Sequence, residues 1–372
     1  MFPPQVPHVF IRWLTKPGDV VYDPFSGRGT APMEACRLGR HGMGSDANPL
    51  AHILTSAKVD PPSLREASAR LRELRRACLP GRPSDAPDDI RMLYAPEVLG
   101  QLLWLREALS VRRRTDRFLM ATLLGLMHAN YKPGSPARGL SISMPNTFSM
   151  SPAYVRGYIE EHGLEPPNVD VFDMLDAKVA RMHLPTKEGV RGAAWRQDAR
   201  QPVPSKLSSD PAKLVFTSPP YLGVISYGKY NWIRLWMLGE SPKDVDSRLV
   251  ATGSLNRYIA FMRDALTSLQ AAVRDDGFLC LMIGDVREPS TGEVTNLAEE
   301  VWRQAAADLG WHRIGIIADR LPSEHKVSRI WKNSPGRATK TDRILVLARR
   351  KASSKQLPSL ERIRWTPPTA WA

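Results

Sequence analysis

The sequence predicts an α/β fold: a doubly wound sheet that finishes in an antiparallel hairpin and carries a mostly helical insertion. Three observations predict it. Short apolar runs alternate with stretches of helical periodicity over residues 19–58 and again after Gly192. That rhythm breaks between residue 59 and about 190, where helical spacing dominates. Two apolar runs, WHRIGIIADRL and TDRILVLARR, then follow each other across a basic loop, as an antiparallel pair would. The 372 residues suffice for one large domain with an insertion or for two modest ones.

In chain order, DVVYDPF reads as a buried strand (Val20, Val21, Tyr22) stopped by Asp23-Pro24. SGRGT is a Gly-rich turn, and APMEACRLGR a helix with Gly39 near its end. HGMGSD gives a second strand ending in Asp46, and NPLAHILTSAK a second helix. Within the insertion, REASARLRELRRA and EVLGQLLWLREAL have helical spacing, and RFLMATLLGLMHANY reads as a buried helix. KPGSPARGLSISMPNTFSMSPAYV reads as a structured loop, because linkers seldom carry so many large apolar groups. AAWRQDAR is the third strand or its end, KLVFTSPPY the fourth and DGFLCLMIGDV the fifth, led in by an Asp-Gly turn. NRYIAFMRDALTSLQAAV and TNLAEEVWRQAAADLGW are helices, and the tail from Lys351 is polar. The expected divisions are 1–58, a cofactor-binding half; 59–190, the insertion; 191–350, a catalytic half; and 351–372, the tail.

Composition narrows the function. Lys and Arg outnumber Asp and Glu by 52 to 38, a net charge of +14 that favours a polyanionic partner without separating DNA from RNA. Arg70, Arg72, Arg75 and Arg76, with Arg112, Arg113 and Arg114, carry much of it; each cluster is also readable as a solvated face. No apolar run reaches the length of a transmembrane helix, and the N-terminus lacks the pattern of a signal peptide. Cys36, Cys78 and Cys280 have no CxxC spacing, which suits a reducing cytosol and rules out a cysteine-based zinc ribbon. His41, His128 and His183 lack metal-ligand spacing and read as structural, so no metal is expected.

Two short stretches carry chemistry. DPFSGRGT places Gly27 and Gly29 between a strand and a helix start, the arrangement with which α/β sheets cradle a ligand at the carboxyl edge of their strands. Asp46, ending the second strand, matches the acid that binds ribose hydroxyls in such folds. The spacing departs from GxGxxG, which argues against a dinucleotide. In VFTSPPYLGV, two successive prolines end a buried strand in a rigid loop, flanked by Ser218 and Tyr221.

FIRWLTKPGDVVYDPFSGRGTAPMEACRLGRHGMGSDANPLA resembles the cofactor-binding segment of the amino-group DNA methyltransferases, and TSPPY resembles their (D/N/S)PP(Y/F) motif. The likeness covers about 1–58 and 190–350. It implies a Rossmann-like methyltransferase sheet and S-adenosylmethionine as cofactor, with S-adenosylhomocysteine as product. It also implies transfer of a methyl group to the exocyclic amine of a base flipped out of double-stranded DNA. Carried over by resemblance, Ser218 Oγ and the Pro219 carbonyl accept the amine's protons, Tyr221 stacks on the base, and Pro219 and Pro220 hold the groups rigid. Phe10, Asp23, Pro24, Phe25, Gly27, Gly29, Thr30, Asp46, Asp198 and Thr217 are the implied cofactor residues. Among these, Thr30 is a candidate helix cap, Asp198 the third-strand acid or a turn residue, and Phe10 a cofactor neighbour or helix core. Trp232 and Trp236 read as core.

The Ser form of the motif is typical of cytosine N4 enzymes, and Asp or Asn forms of adenine N6 enzymes. Cytosine N4 is therefore expected, with adenine N6 the alternative. A C5 mechanism needs a Pro-Cys thiolate that none of the three cysteines supplies. An RNA methyltransferase and a non-catalytic nucleic-acid-binding subunit are rival readings. The glycine motif precedes SPPY with a long insertion between, which fits no standard motif order; residues 59–190 are the candidate target-recognition region. Lys326, Arg329, Lys332, Arg337 and Lys340 are candidate contacts to DNA phosphates. The expected setting is the cytoplasm of a bacterium, archaeon or phage host, near the nucleoid, and a separately acting restriction endonuclease is a conceivable partner.

Overall fold

In a computed structural model the described residues are 2–130, 135–144, 146, 149–182, 190–222, 226–287, 291–320 and 338–351, the side chains of 319–320 and 338–340 excepted. The chain divides into two compact units. The first comprises 1–55, 186–224 and 250–372; the second comprises 56–185 and 225–249.

The first unit is built on an eight-stranded sheet. Its strands are β1 (Val20–Asp23), β2 (His41–Asp46), β3 (Ala193–Arg196), β4 (Ala212–Thr217), β5 (Val273–Arg287), β6 (Val294–Thr295), β7 (His312–Arg320) and β8 (Ala338–Ala348). The order is β3-β2-β1-β4-β5-β8-β7, with β6 beside the end of β5. β1 to β5 are parallel, while β8 runs antiparallel between β5 and β7. The antiparallel end is therefore the pair that the sequence predicts.

Alternation along the strands explains why both faces are covered. Val21, Leu214, Phe216, Phe278, Cys280 and Met282 point to one face, where helix α1 (Gln5–Leu14) and helix α2 (Thr30–Arg37) add Phe10, Ile11, Leu14, Ala31 and Ala35. Val20, Tyr22, Val215, Leu279, Leu281 and Ile283 point to the other, against the helix Leu255–Leu269 and the segment after Leu297. Strands buried on both faces read as continuous apolar runs, as these do.

Three expectations change. Asp276-Gly277 does not lead into β5 but lies inside it, at a point where the register against β4 shifts; a side chain on Gly277 would meet Val273 at 2.7 Å and the Arg274 carbonyl at 2.9 Å. The single helix expected at 295–311 is a short α-helix, Leu297–Val301, continued by a π turn at Trp302–Ala306 and a 3-10 turn at Ala307–Leu309. The loop expected up to Val155 gives way at Pro152 to a helix, Pro152–His162, capped by Ser151.

The second unit is helical. Helix α3 (Pro49–Val59) runs into it, followed by α4 (Leu64–Ala77) and the helices Asp88–Arg91, Pro96–Ala108, Arg114–Leu124, Pro152–His162 and Val171–Met182. Ser63 and Glu66 close a reciprocal capping box that starts α4. Trp232 is buried and its indole N–H donates to the Met150 carbonyl at 2.8 Å, a structural role, as expected. His128 is held by Ser149 and by the Asn146 carbonyl. No helix among the described residues is long and apolar enough to cross a membrane.

Candidate functional site

Two loops leave the same edge of the sheet. β1 lies between β2 and β4, with Tyr22 in register with Val215, so Asp23 and Thr217 end adjacent parallel strands. The chain turns from β1 towards β2 and from β4 towards β5, so β1 and β4 form the point at which the winding reverses. Ligands bind there in open α/β sheets.

The two strand ends are tied directly: Thr217 Oγ1 donates to Asp23 Oδ1 at 2.5 Å, and both residues are buried. The Phe25 N–H donates to the same carboxylate oxygen at 3.1 Å. Burial nevertheless pushes the Asp23 carboxyl up to about 7; the two hydrogen bonds oppose this, and the nearby charge of Asp46 adds to it.

Asp46 fastens the glycine loop from the next strand. Its two oxygens accept from the Gly27 N–H and the Asn48 N–H, each at 2.9 Å. Burial pushes its carboxyl up to about 6, against those two donors, with Asp198 adding repulsion. Gly27 (φ +51°) and Gly29 (φ +74°) both lie in the left-handed region. On Gly27 a side chain would meet only the Phe25 carbonyl at 3.8 Å, so this part of the loop faces open space. On Gly29 it would strike Thr55 Cα and Oγ1, both at 2.9 Å. Thr55, which sequence reasoning passed over, is fully buried and hydrogen-bonds Ser26 Oγ at 3.0 Å. It also packs where Gly44 lacks a side chain. Its only sequence signal is a small polar residue on an apolar helix.

After β4, Pro219 is buried while Ser218, Pro220 and Tyr221 are half-buried. Among the described residues Ser218 Oγ makes no hydrogen bond, so it is available to a ligand. The Tyr221 ring lies beside Gly284 of β5: a side chain at Gly284 would stand 3.7 Å from Cε1 of that ring and 3.0 Å from Asp342 Oδ1. Among the described residues the buried Tyr258 hydroxyl has no hydrogen-bond partner; burial raises its pKa, and the neighbouring Tyr221 adds to that. Neither Gly284 nor Tyr258 stands out in the sequence, because their role depends on what the fold places beside them.

The remaining candidates separate. Pro24 is buried, and Phe25 packs against Phe261 with ring centroids 5.8 Å apart. Phe10 takes the helix-core alternative: it is 5% exposed and packs on Phe216 at 5.3 Å and Trp13 at 5.9 Å. Thr30 does not cap its helix; Gly29 occupies the cap position, no side chain caps it, and Thr30 is the first helical residue. Asp198 lies just beyond the end of β3, near Asp46, and accepts from the Arg200 backbone and guanidinium at 2.7–3.0 Å. Burial raises its pKa, but the Arg200 hydrogen bonds outweigh that and hold it below the usual range. Lys326, Arg329, Lys332 and Arg337 lie outside the described residues, as does the side chain of Lys340 on β8. No metal-binding cluster exists among the described residues.

Residues 1–55, which hold the glycine loop and Asp46, match the DNA methylase family model N6_N4_Mtase. No curated protein matches the chain. Solved structures similar to it include the rRNA methyltransferase aviRa from Streptomyces viridochromogenes. It is 13% identical with a TM-score of 0.36, over 94% of this chain and 86% of that one. A TehB-like SAM-dependent methyltransferase from Corynebacterium glutamicum is 8% identical with a TM-score of 0.34, over 94% and 89%. TrmN from Thermus thermophilus is 11% identical with a TM-score of 0.34, over 93% of this chain and 49% of that one.

Proposed function

We propose that this chain is an S-adenosylmethionine-dependent DNA methyltransferase that acts on the exocyclic amine of a flipped base, cytosine N4 by preference. The observation that carries the reading is the Thr217–Asp23 hydrogen bond, which fastens the DPFSGRGT and SPPY loops to one sheet edge at the winding reversal. The residues present fit the cofactor. Gly27 offers backbone beside open space, and Asp46, whose oxygens each keep a lone pair, can accept from a ribose diol. When bound, S-adenosylmethionine supplies an electrophilic methyl group.

The base amine is a poor nucleophile because its lone pair is delocalised into the ring. Ser218 Oγ and the Pro219 carbonyl accept its two protons, which favours a pyramidal nitrogen and frees the lone pair. The paired prolines fix those acceptors in advance, and Tyr221 stacks on the extruded base. The hydroxyl at 218 supports cytosine, in keeping with the Ser form of the motif. Residues 59–190 are proposed to carry target recognition, and the basic segment 323–340 to contact phosphates. Deleting the insertion should then abolish site preference while cofactor binding survives.

The test is the modified nucleoside. DNA from a bacterial host expressing the protein, digested and separated by mass, should contain N4-methylcytosine. N6-methyladenine instead would overturn the base assignment, and no modified nucleoside would overturn DNA as substrate.

A further inference from the structure

We propose that the outward face of α4 is a contact surface for the phosphate backbone of duplex DNA, an inference that rests on DNA being the substrate. Ala67, Leu71 and Leu74 bury the inner face of this helix. On one flank Arg70 donates to Asp116 at 2.8 Å, and in the first turn Glu66 accepts from Arg114 at 2.6 Å. On the other flank Arg75 donates to Asp173 at 2.6 Å and lies 3.5 Å from Asp170. The arginines that run sideways are therefore neutralised by neighbouring helices.

Those that point away from the core are not. Arg65, Arg72 and Arg76 stand at i, i+7 and i+11, within about 20° of one line along the helix. All three are exposed, and none has a hydrogen bond or ion pair among the described residues. Ala69 completes the line and leaves a groove of about 450 Å³ bounded by Ala69, Arg72, Glu73, Arg76 and Ala77. Glu73, the one acid there, accepts from Arg70 at 2.6 Å.

At 1.5 Å per residue the three guanidinium stems span about 16 Å, the length over which one strand presents about five phosphates. An uncompensated row of planar bidentate donors suits phosphate oxygens. A membrane surface is disfavoured because the apolar face that would insert is already buried.

The test is salt dependence of binding to a duplex of arbitrary sequence. For Arg65→Ala/Arg72→Ala/Arg76→Ala the slope of log K against log salt should fall by up to about 2.7, at about 0.9 per lost phosphate contact. Affinity near 100 mM salt should drop at least about tenfold. S-adenosylmethionine affinity should hold, which confirms that the variant folds. The triple Lys variant should keep most of the slope. Arg263→Ala/Arg274→Ala/Arg313→Ala, which removes equal charge from ion-paired positions, should lose far less. Equal losses in the two Ala triples, or an unchanged slope in the α4 triple while wild type binds DNA, would overturn this inference alone. A wild-type protein with no duplex binding would overturn it together with DNA as substrate.

Discussion

Asp23 ties the ends of two strands with a buried carboxyl. It is 1% exposed, and burial pushes its carboxyl up to about 7 although it accepts from two donors. A native pKa above the unfolded value near 4 means that the folded state holds the extra proton between about pH 4 and 7. Stability from this group is therefore fullest below pH 4 and is lost as pH rises through 7. Asp23→Asn keeps an oxygen for Thr217 and Phe25 but cannot ionise. Relative to wild type it should gain on the order of 4 kcal/mol between pH 4 and 8, read from urea unfolding at several pH values. Parallel pH dependences for the two proteins would contradict this. Gly29→Ala tests the loop: a left-handed φ and a 2.9 Å approach to Thr55 leave it no room. It should cost about 2–3 kcal/mol and weaken S-adenosylmethionine binding measured by calorimetry, whereas Ala at exposed Gly157, which meets nothing within 4 Å, should do neither.

Elements were legible wherever burial wrote a period into the chain. β1 and β4 are short apolar runs ended by Asp23-Pro24 and Ser218-Pro219, and α4 announces itself through Ser63 and Glu66. Misreadings came where a local signal met a non-local constraint. Asp276-Gly277 looks like an entry turn, but it sits at an irregularity inside β5, where the register against β4 shifts and Val273 and the Arg274 carbonyl crowd Gly277. Helix Pro152–His162 lay in a Ser- and Pro-rich stretch, although Ser151-Pro152 is itself a helix start. The glycine loop and SPPY were each readable alone. Their link was not, because Asp23 and Thr217 are 194 residues apart and only parallel pairing brings them together. Thr217→Val keeps the shape and removes the donor. It should cost about 1–3 kcal/mol and speed amide exchange at both strand ends; unchanged exchange at Asp23–Phe25 would show that the tie does not hold the loops.

Across the whole molecule, a net charge of +14 says less about a partner than does its distribution. Arg70, Arg75 and Arg114, members of the two arginine clusters in the sequence, are held in ion pairs, while among the described residues Arg65, Arg72 and Arg76 are not. Pairing of this kind is invisible in a sequence because the acids come from other helices. If the cofactor binds the folded chain alone, S-adenosylmethionine at a hundred times its Kd should add about 2.7 kcal/mol to stability, visible as a rise in Tm. No rise would count against the glycine loop as its seat. The central claim is that the two loops divide the labour of one methyl transfer. Single-turnover transfer of labelled methyl to duplex DNA by Ser218→Ala, with cofactor affinity measured on the same sample, tests it most directly. The account predicts unchanged affinity and transfer about a hundredfold slower; transfer at the wild-type rate would contradict it.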